Sequence, residues 1–200
     1  MRKTLLVVAI LPLVVPLFAS SYYSARLDDS RAIYLTQDKF PVKGDGIADD
    51  SSVLQQAIDT VQEETNQGIL FVPAGRYRLT KTIYIWPGIW LIGVGAARPT
   101  FVLGANTPGF RQGPSYMVFF AGARPGANAA PPDANPGTFY SAISNIDIEI
   151  QDGKPGAVGI RAHYAQHCFL AHMDFRIGSG LAGIWSNSWY NTVSLFERTR

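Results

Sequence analysis

Residues 40–59, FPVKGDGIADDSSVLQQAID, decide how the rest of the chain is read. Gly44 and Gly46 permit backbone angles that a side chain forbids, so the turn they flank can be tight. Asp49, Asp50, Ser51 and Ser52 each offer an oxygen to the unpaired N–H groups of a following helix, and Ser52 with Gln55 has capping-box spacing. Val53, Leu54, Ala57, Ile58 and Val61 make one apolar stripe, which predicts a short amphipathic helix at about residues 52–64. Gln55, Gln56, Asp59, Gln62 and Glu63 fall on its outer face. Asp45, Asp49 and Asp50 lack the further oxygen ligands of a calcium loop and read as turn and cap residues.

Working outward, the period changes at Gly68 from helix to strand. The run at 69–72 is closed by Pro73-Ala-Gly. Tyr77, Leu79, Ile83 and Ile85 then alternate inward, and Pro87-Gly88 turns the chain into another strand pair. Ile146, Ile148 and Ile150 share one face, with Asn145, Asp147 and Glu149 on the other. Later strands start near 143, 158, 168 and 181. Turns this short leave no room for crossover helices, so hairpins and a parallel solenoid both remain open. Residues 22–39 form a lead-in, with a short segment around Ala32-Ile-Tyr-Leu packing near the helix. Residues 122–138, rich in Pro, Gly, Ala and Asn, are either a mobile surface loop or the wall of a groove.

Residues 44–58 followed by ILFVPAGRY at 69–77 resemble the N-terminal signature of the pectate-lyase-3, rhamnogalacturonase/epimerase-like proteins. The likeness extends over roughly residues 38–185. Within NIDIEIQDGKPGAVGIRAHYAQHCFLAHMDFRIGSGLAGI it leans toward the family-55 glycoside hydrolases that attack β-1,3-glucan. The resemblance implies an all-β, right-handed parallel β-helix with an N-terminal capping helix that covers the open first coil. It also implies a truncated chain, since family members are much longer and carry their glycosidic acid further on. Residues 40–200 are then the first coils of an incomplete domain.

Composition bounds the rest. A hydrophobic content of 47% with 16% charged residues describes a globular chain, and 19 glycines with 13 prolines suit many turns. The net charge of +2, without a basic run carrying interleaved aromatics, argues against nucleic acid as a partner. Residues 1–21 read as a secretory signal: Arg2 and Lys3 precede an apolar run too short and too Pro-broken to span a bilayer, and Ala19, Ser20 and Ser21 offer cleavage sites. That places the protein outside the cell or in a periplasm, without stable membrane insertion. Cys168, the single cysteine, permits no internal disulfide and reads as a buried core thiol.

Candidate chemistry is sparse. Glycoside hydrolysis needs two carboxyl groups, about 5–5.5 Å apart for retention and about 6.5–9.5 Å for inversion. Asp147 and Glu149, two apart on a strand face, have inverting spacing, but any solvated strand face looks the same. Asp174 shares its face with Arg176, which gives a surface ion pair or an acid. His163, His167 and His172 hint at a metal, but no Cys or carboxylate completes a tetrahedral set, so no metal and no cofactor is expected. Trp86, Trp90, Trp185, Trp189 and the tyrosines are sugar-stacking or packing residues. Nucleotide fingerprints are absent. The expected function is that of an exported carbohydrate-active protein: the N-terminal part of a β-1,3-glucanase-like or pectinolytic hydrolase, its catalytic residues lying beyond residue 200. A non-catalytic glycan-binding or adhesion module, an inactive gene product and a homo-oligomer remain as alternatives.

Overall fold

The computed structural model describes residues 20–25, 27–105, 107–126 and 129–186. Its strands wind in parallel coils around three sheets. The lead-in supplies β1 (Ile33–Tyr34), the glycine turn after it supplies β2 (Asp45–Asp49), and the helix α1 (Ser51–Thr65) follows. The first full coil contains β3 (Gly68–Pro73), β4 (Arg76–Leu79) and β5 (Ile83–Ile85). The second contains β6 (Ile89–Val94), β7 (Thr100–Leu103) and β8 (Ser115–Phe120). The third contains β9 (Ala142–Ser144), β10 (Asp147–Ile150) and β11 (Ala157–Arg161), and the fourth β12 (Phe169–Ala171), β13 (Phe175–Arg176) and β14 (Ala182–Trp185). Sheet B is ordered β1-β3-β6-β9-β12, sheet C β13-β10-β7-β4-β2 and sheet D β14-β11-β8-β5, with every paired strand parallel. Hairpins, which need antiparallel neighbours, are thereby excluded. The architecture is a right-handed parallel β-helix.

Register stacks like residues upon like. Leu70, Leu91, Ile143 and Leu170 form one ladder in sheet B, and Tyr77, Phe101, Ile148 and Phe175 another in sheet C. Ile83, Val118, Ile160 and Ile184 form the third, in sheet D. Tyr77, Leu79, Ile83 and Ile85 point inward as the alternation predicts, and all are buried. The segment around Ala32-Ile-Tyr-Leu is β1 itself, the first strand of sheet B.

The cap works differently from the sequence expectation. Asp50 is the N-cap residue, but its side chain makes no capping bond, and the Ser52–Gln55 box does not form. The Asp50 carboxylate instead accepts from Lys43 N at 2.8 Å and Gly44 N at 2.9 Å, closing the glycine turn. Asp45 accepts from Ile47 N and Ala48 N at 2.8 and 2.9 Å, so these carboxylates are turn residues. Leu54, Ala57, Ile58 and Val61 are fully buried over the first coil. Each Leu, Ile or Val contributes about 1.5–3 kcal/mol by leaving water. Gln55 and Asp59 are not outer residues. Gln55 turns to the edge of β5, and Asp59 Oδ1 accepts from Trp86 Nε1 at 2.7 Å. The helix stops where Asn66 adopts φ 60°.

Asn145 turns the third coil from sheet B to sheet C with φ 60°. It is fully buried rather than solvated, and its amide donates to Gly93 O and Ser21 Oγ, each at 2.8 Å. Its Oδ1 accepts from Tyr22 N at 2.8 Å, which pins residues 20–23 across the outside of sheet B. Cys168 is not the buried core thiol that its apolar neighbours predict. It precedes β12 and is half-buried at a corner, where Sγ accepts from Ser141 N at 3.3 Å. Burial raises its thiol pKa. The proposed signal segment lies outside the described residues, apart from Ser20 and Ser21.

Candidate functional site

The three carboxylates singled out in the sequence stand together on the outer face of sheet C, each held by arginine. Asp147 is buried, which corrects the picture of a solvated strand face. Arg98, itself almost covered, places Nε 2.8 Å from Asp147 Oδ1 and Nη2 2.5 Å from Asp174 Oδ2. Asp147 Oδ1 also accepts from Asp174 N at 3.0 Å. Glu149 receives two bonds from Arg76, at 2.8 and 3.2 Å, and one from Arg176 Nε at 3.4 Å. Asp174 therefore pairs with Arg98 rather than with Arg176, which reaches Glu149 and lies 3.6 Å from Asp147.

Electrostatics separate the two strand carboxylates. Burial pushes the Asp147 carboxyl above its ordinary range, against the Asp174 N–H and the Arg98 charge. Burial also pushes Glu149 upward, but hydrogen bonds from Arg76 and Gln151 and the charges of Arg76 and Arg176 outweigh it and hold the group low. Arg76 comes from the first coil, Arg98 from the second, Asp147 and Glu149 from the third, and Asp174 and Arg176 from the fourth. Such an array is well suited to tying coils together.

Sheet D presents a different surface. Register aligns Tyr84, Phe119, Arg161 and Trp185 in one outward row across four coils. Phe119 meets Tyr84 and Tyr116 edge-on, with ring centroids 5.7 and 5.6 Å apart. Beside them lies an open groove of about 360 Å³, lined by Lys81, Thr82, Tyr84, Phe110, Tyr116 and Phe119 among others. The sequence marks Trp185 and the tyrosines, Tyr84 among them, as stacking or packing residues, whereas Phe119 is told apart from its buried neighbour Phe120 only once the inward face of β8 is fixed. Trp86 is buried packing, Trp90 is half-buried against Phe169, and Trp189 lies outside the described residues.

The long segment after β8 stands over this row, anchored rather than loose. Ala121 bridges Asp133 antiparallel, Gly122 N donates to Pro132 O at 3.0 Å, and Ala134 is buried. Arg124 reaches back to α1, 2.8 Å from Glu63 and 3.2 Å from Asp59. Asp133 accepts from Arg161 in the outward row, and its Oδ2 lies 3.4 Å from His163 Nδ1. This carboxylate–guanidinium–imidazole cluster escaped the sequence because 28 residues separate Asp133 from Arg161.

The other histidines go elsewhere. His167 stacks on Tyr140 and His172 on Tyr22, with centroids 5.2 and 3.9 Å apart. Among the described residues no three His, Cys, Asp or Glu side chains gather as a metal site. Likewise no helix there is long and apolar enough to cross a membrane.

Residues 38–192 match the family model for rhamnogalacturonase A/epimerase, pectate lyase-like proteins. A glucan 1,3-beta-glucosidase of Cochliobolus carbonum is 26% identical over an alignment covering 75% of this chain and 22% of that protein. Two solved structures share the fold at 16% identity. One is a 1,3-α-1,4-β-D-galactose-4-sulfate-3,6-anhydro-D-galactose-2-sulfate 4 galactohydrolase, with TM-score 0.52 over 78% of this chain and 32% of that one. The other is the family GH82 iota-carrageenase from A. fortis, with TM-score 0.50 over 76% and 31%. The chain thus spans between 22% and 32% of these proteins.

Proposed function

The chain belongs to the rhamnogalacturonase A/epimerase, pectate lyase-like family, and from that premise we propose that its sheet D face holds a polysaccharide. The observation that carries this reading is the open groove lined by the outward aromatics Tyr84, Tyr116 and Phe119. Farther along the same row Arg161 is buried beneath Asp133, and Trp185 is exposed at its end. Aromatic faces accept the apolar side of a pyranose ring, while Lys81, Thr82 and the Tyr84 hydroxyl offer polar contacts at the rim. Tyr84 and Phe119 lie on successive coils, about 4.8 Å apart, which suits a chain laid across the strands.

On this reading the described coils are the capped N-terminal end of an exported carbohydrate-active β-helix, following a leader at residues 1–21. Asp147, Glu149 and Asp174 act there as coil-linking residues, because Arg76, Arg98 and Arg176 occupy their oxygens. Cleavage of the glycosidic bond falls to carboxylates outside the described residues. A non-catalytic binding module is the second reading, favoured by that same occupation of every carboxylate first considered for chemistry.

One experiment separates the two. The full chain is incubated with insoluble β-1,3-glucan and with pectin, and both retention and new reducing ends are measured. Retention lost in Phe119→Ala supports the groove, and retention unchanged in that variant overturns it. New reducing ends that vanish in Asp147→Asn or Glu149→Gln would return chemistry to sheet C.

A further inference from the structure

We infer that Tyr140 and His167 form a second sugar-stacking site, at the corner where the chain passes from sheet D to sheet B. Two positions ahead of the paired row Trp90, Ala142 and Phe169 stand Gly88, Tyr140 and His167, one on each of three successive coils. All three have left-handed backbones, with φ 80°, 59° and 61°. Glycine meets that demand without strain, as at Gly88, whereas a tyrosine or a histidine there costs the fold stability. Two large rings thus occupy positions where the backbone alone asks for glycine.

The rings are held as one surface. Their centroids are 5.2 Å apart and their planes 10° from parallel. Trp90 Nε1 donates to Tyr140 O at 2.7 Å, and the Trp90 ring meets Phe169 edge-on over the small Ala142. Behind them Cys168 Sγ accepts from Ser141 N at 3.3 Å and donates to Thr138 O at 3.4 Å, which ties the two corners together. Tyr140 nevertheless remains 47% exposed, and His167 is exposed beside it. Among the described residues nothing bonds the Tyr140 hydroxyl or the His167 ring nitrogens.

Another corner shows what such a ring can hold. His172, with φ 53°, follows β12, and the Tyr22 ring lies flat on it at 3.9 Å between centroids. There the chain supplies the flat guest itself. The faces of the Tyr140–His167 pair suit the apolar side of a pyranose ring, and the hydroxyl and imidazole edges suit the sugar hydroxyls around it. No ion pair involves either residue among the described residues, so the guest matched to them is an uncharged sugar. That the guest is a sugar rests on the function proposed above. The groove lies where the chain enters sheet D and this pair where it leaves, so the two sites flank that sheet.

The test is titration of the full chain with a soluble β-1,3-glucan oligosaccharide, followed by the NMR signals of the Tyr140 and His167 rings. Both sets should move saturably. The affinity read from Tyr140 in His167→Gly, and from His167 in Tyr140→Gly, should fall about fivefold. Because glycine relieves the left-handed backbone, Tm should stay at or above that of wild type in each variant. A pair that only packs would lower Tm and leave affinity unchanged. That result, or ring signals that do not move, overturns the site. An oligogalacturonate of equal length should move the signals less, and an equal or larger response overturns the uncharged guest. A dimer that His167→Gly dissolves in sedimentation would give the pair to a second copy and overturn the sugar. Phe119→Ala strikes the groove but leaves the two rings responsive, so the two readings fail separately.

Discussion

The side-chain amide of Gln55 acts as a peptide group for Tyr84. Its Oε1 accepts from Tyr84 N at 2.8 Å and its Nε2 donates to Tyr84 O at 3.2 Å. β5 is the first strand of sheet D, so this pair satisfies a sheet edge that would otherwise invite another strand. One corner earlier the Ser51 Oγ accepts from Thr80 N at 2.8 Å, tying the start of α1 to the turn after β4.

Replacing Gln55 by Ala leaves both edge groups of Tyr84 without their partner. Equilibrium urea unfolding is expected to show a loss of about 1–3 kcal/mol. Gln55→Glu, which retains the acceptor but loses the donor, falls between wild type and Ala. An unaltered urea midpoint for the Ala variant would remove the edge from the stability argument.

Gly93 has no room for a side chain, since a Cβ would stand 1.9 Å from Asn145 O and 2.7 Å from Pro99 Cδ. Gly93→Ala should cost about 3 kcal/mol by forcing the second and third coils apart. Gly109→Ala, with open space around it but φ 86°, isolates the backbone part of such a change. Comparing the two melting temperatures checks the assignment, and equal losses contradict it.

The carboxylates of sheet C predict opposite pH responses. Glu149 is held below its unfolded pKa, so its contribution is present above that value and fades as pH falls through the folded one. The stability difference between wild type and Glu149→Gln should therefore shrink between about pH 6 and about pH 2. Asp147 is raised, so folding favours its protonated form and stability is lost as pH climbs from the unfolded to the folded pKa. Relative to wild type, Asp147→Asn should thus gain as pH rises through that window. Parallel urea midpoints for both variants across pH contradict this.

The Asp133–Arg161 pair should govern order in the segment over sheet D. Asp133→Ala is expected to speed amide exchange between Ala121 and Tyr140, leaving β10 and β13 protected. Exchange that rises equally in all three sheets would indicate global destabilisation instead.

Stacking makes a separate claim on affinity. Tyr84→Ala and Trp185→Ala should each weaken glycan retention by about 1 kcal/mol, near fivefold in Kd. Binding titrations with an oligosaccharide series read the loss, and full affinity in both variants would move the ligand elsewhere.

Much of the fold was legible because helix and strand periods differ. Val53, Leu54, Ala57, Ile58 and Val61 marked α1, and the alternating isoleucines from Ile146 marked β10, each from local pattern alone. What Gln55 and Asp59 touch was hidden, since a polar residue beside an apolar stripe reads as solvent-facing until a sheet edge meets it. The partner of Asp174 was misread for a similar reason. Arg176 is near in sequence, but Arg98 is 76 residues away and arrives by stacking. The outward row on sheet D depends wholly on register between coils, which no single strand encodes.

The docking of residues 20–23 sets an order of events. Tyr22 N bonds Asn145 across 123 positions, and the Tyr22 ring lies on His172 in the corner after β12. During synthesis these early residues leave the ribosome long before their partners exist. Coils stack from the capped end onward, each on the one before, while the opening segment must wait for the third and fourth to form. Residues 20–23 are thus among the last parts to find their place, closing over strands that were finished without them.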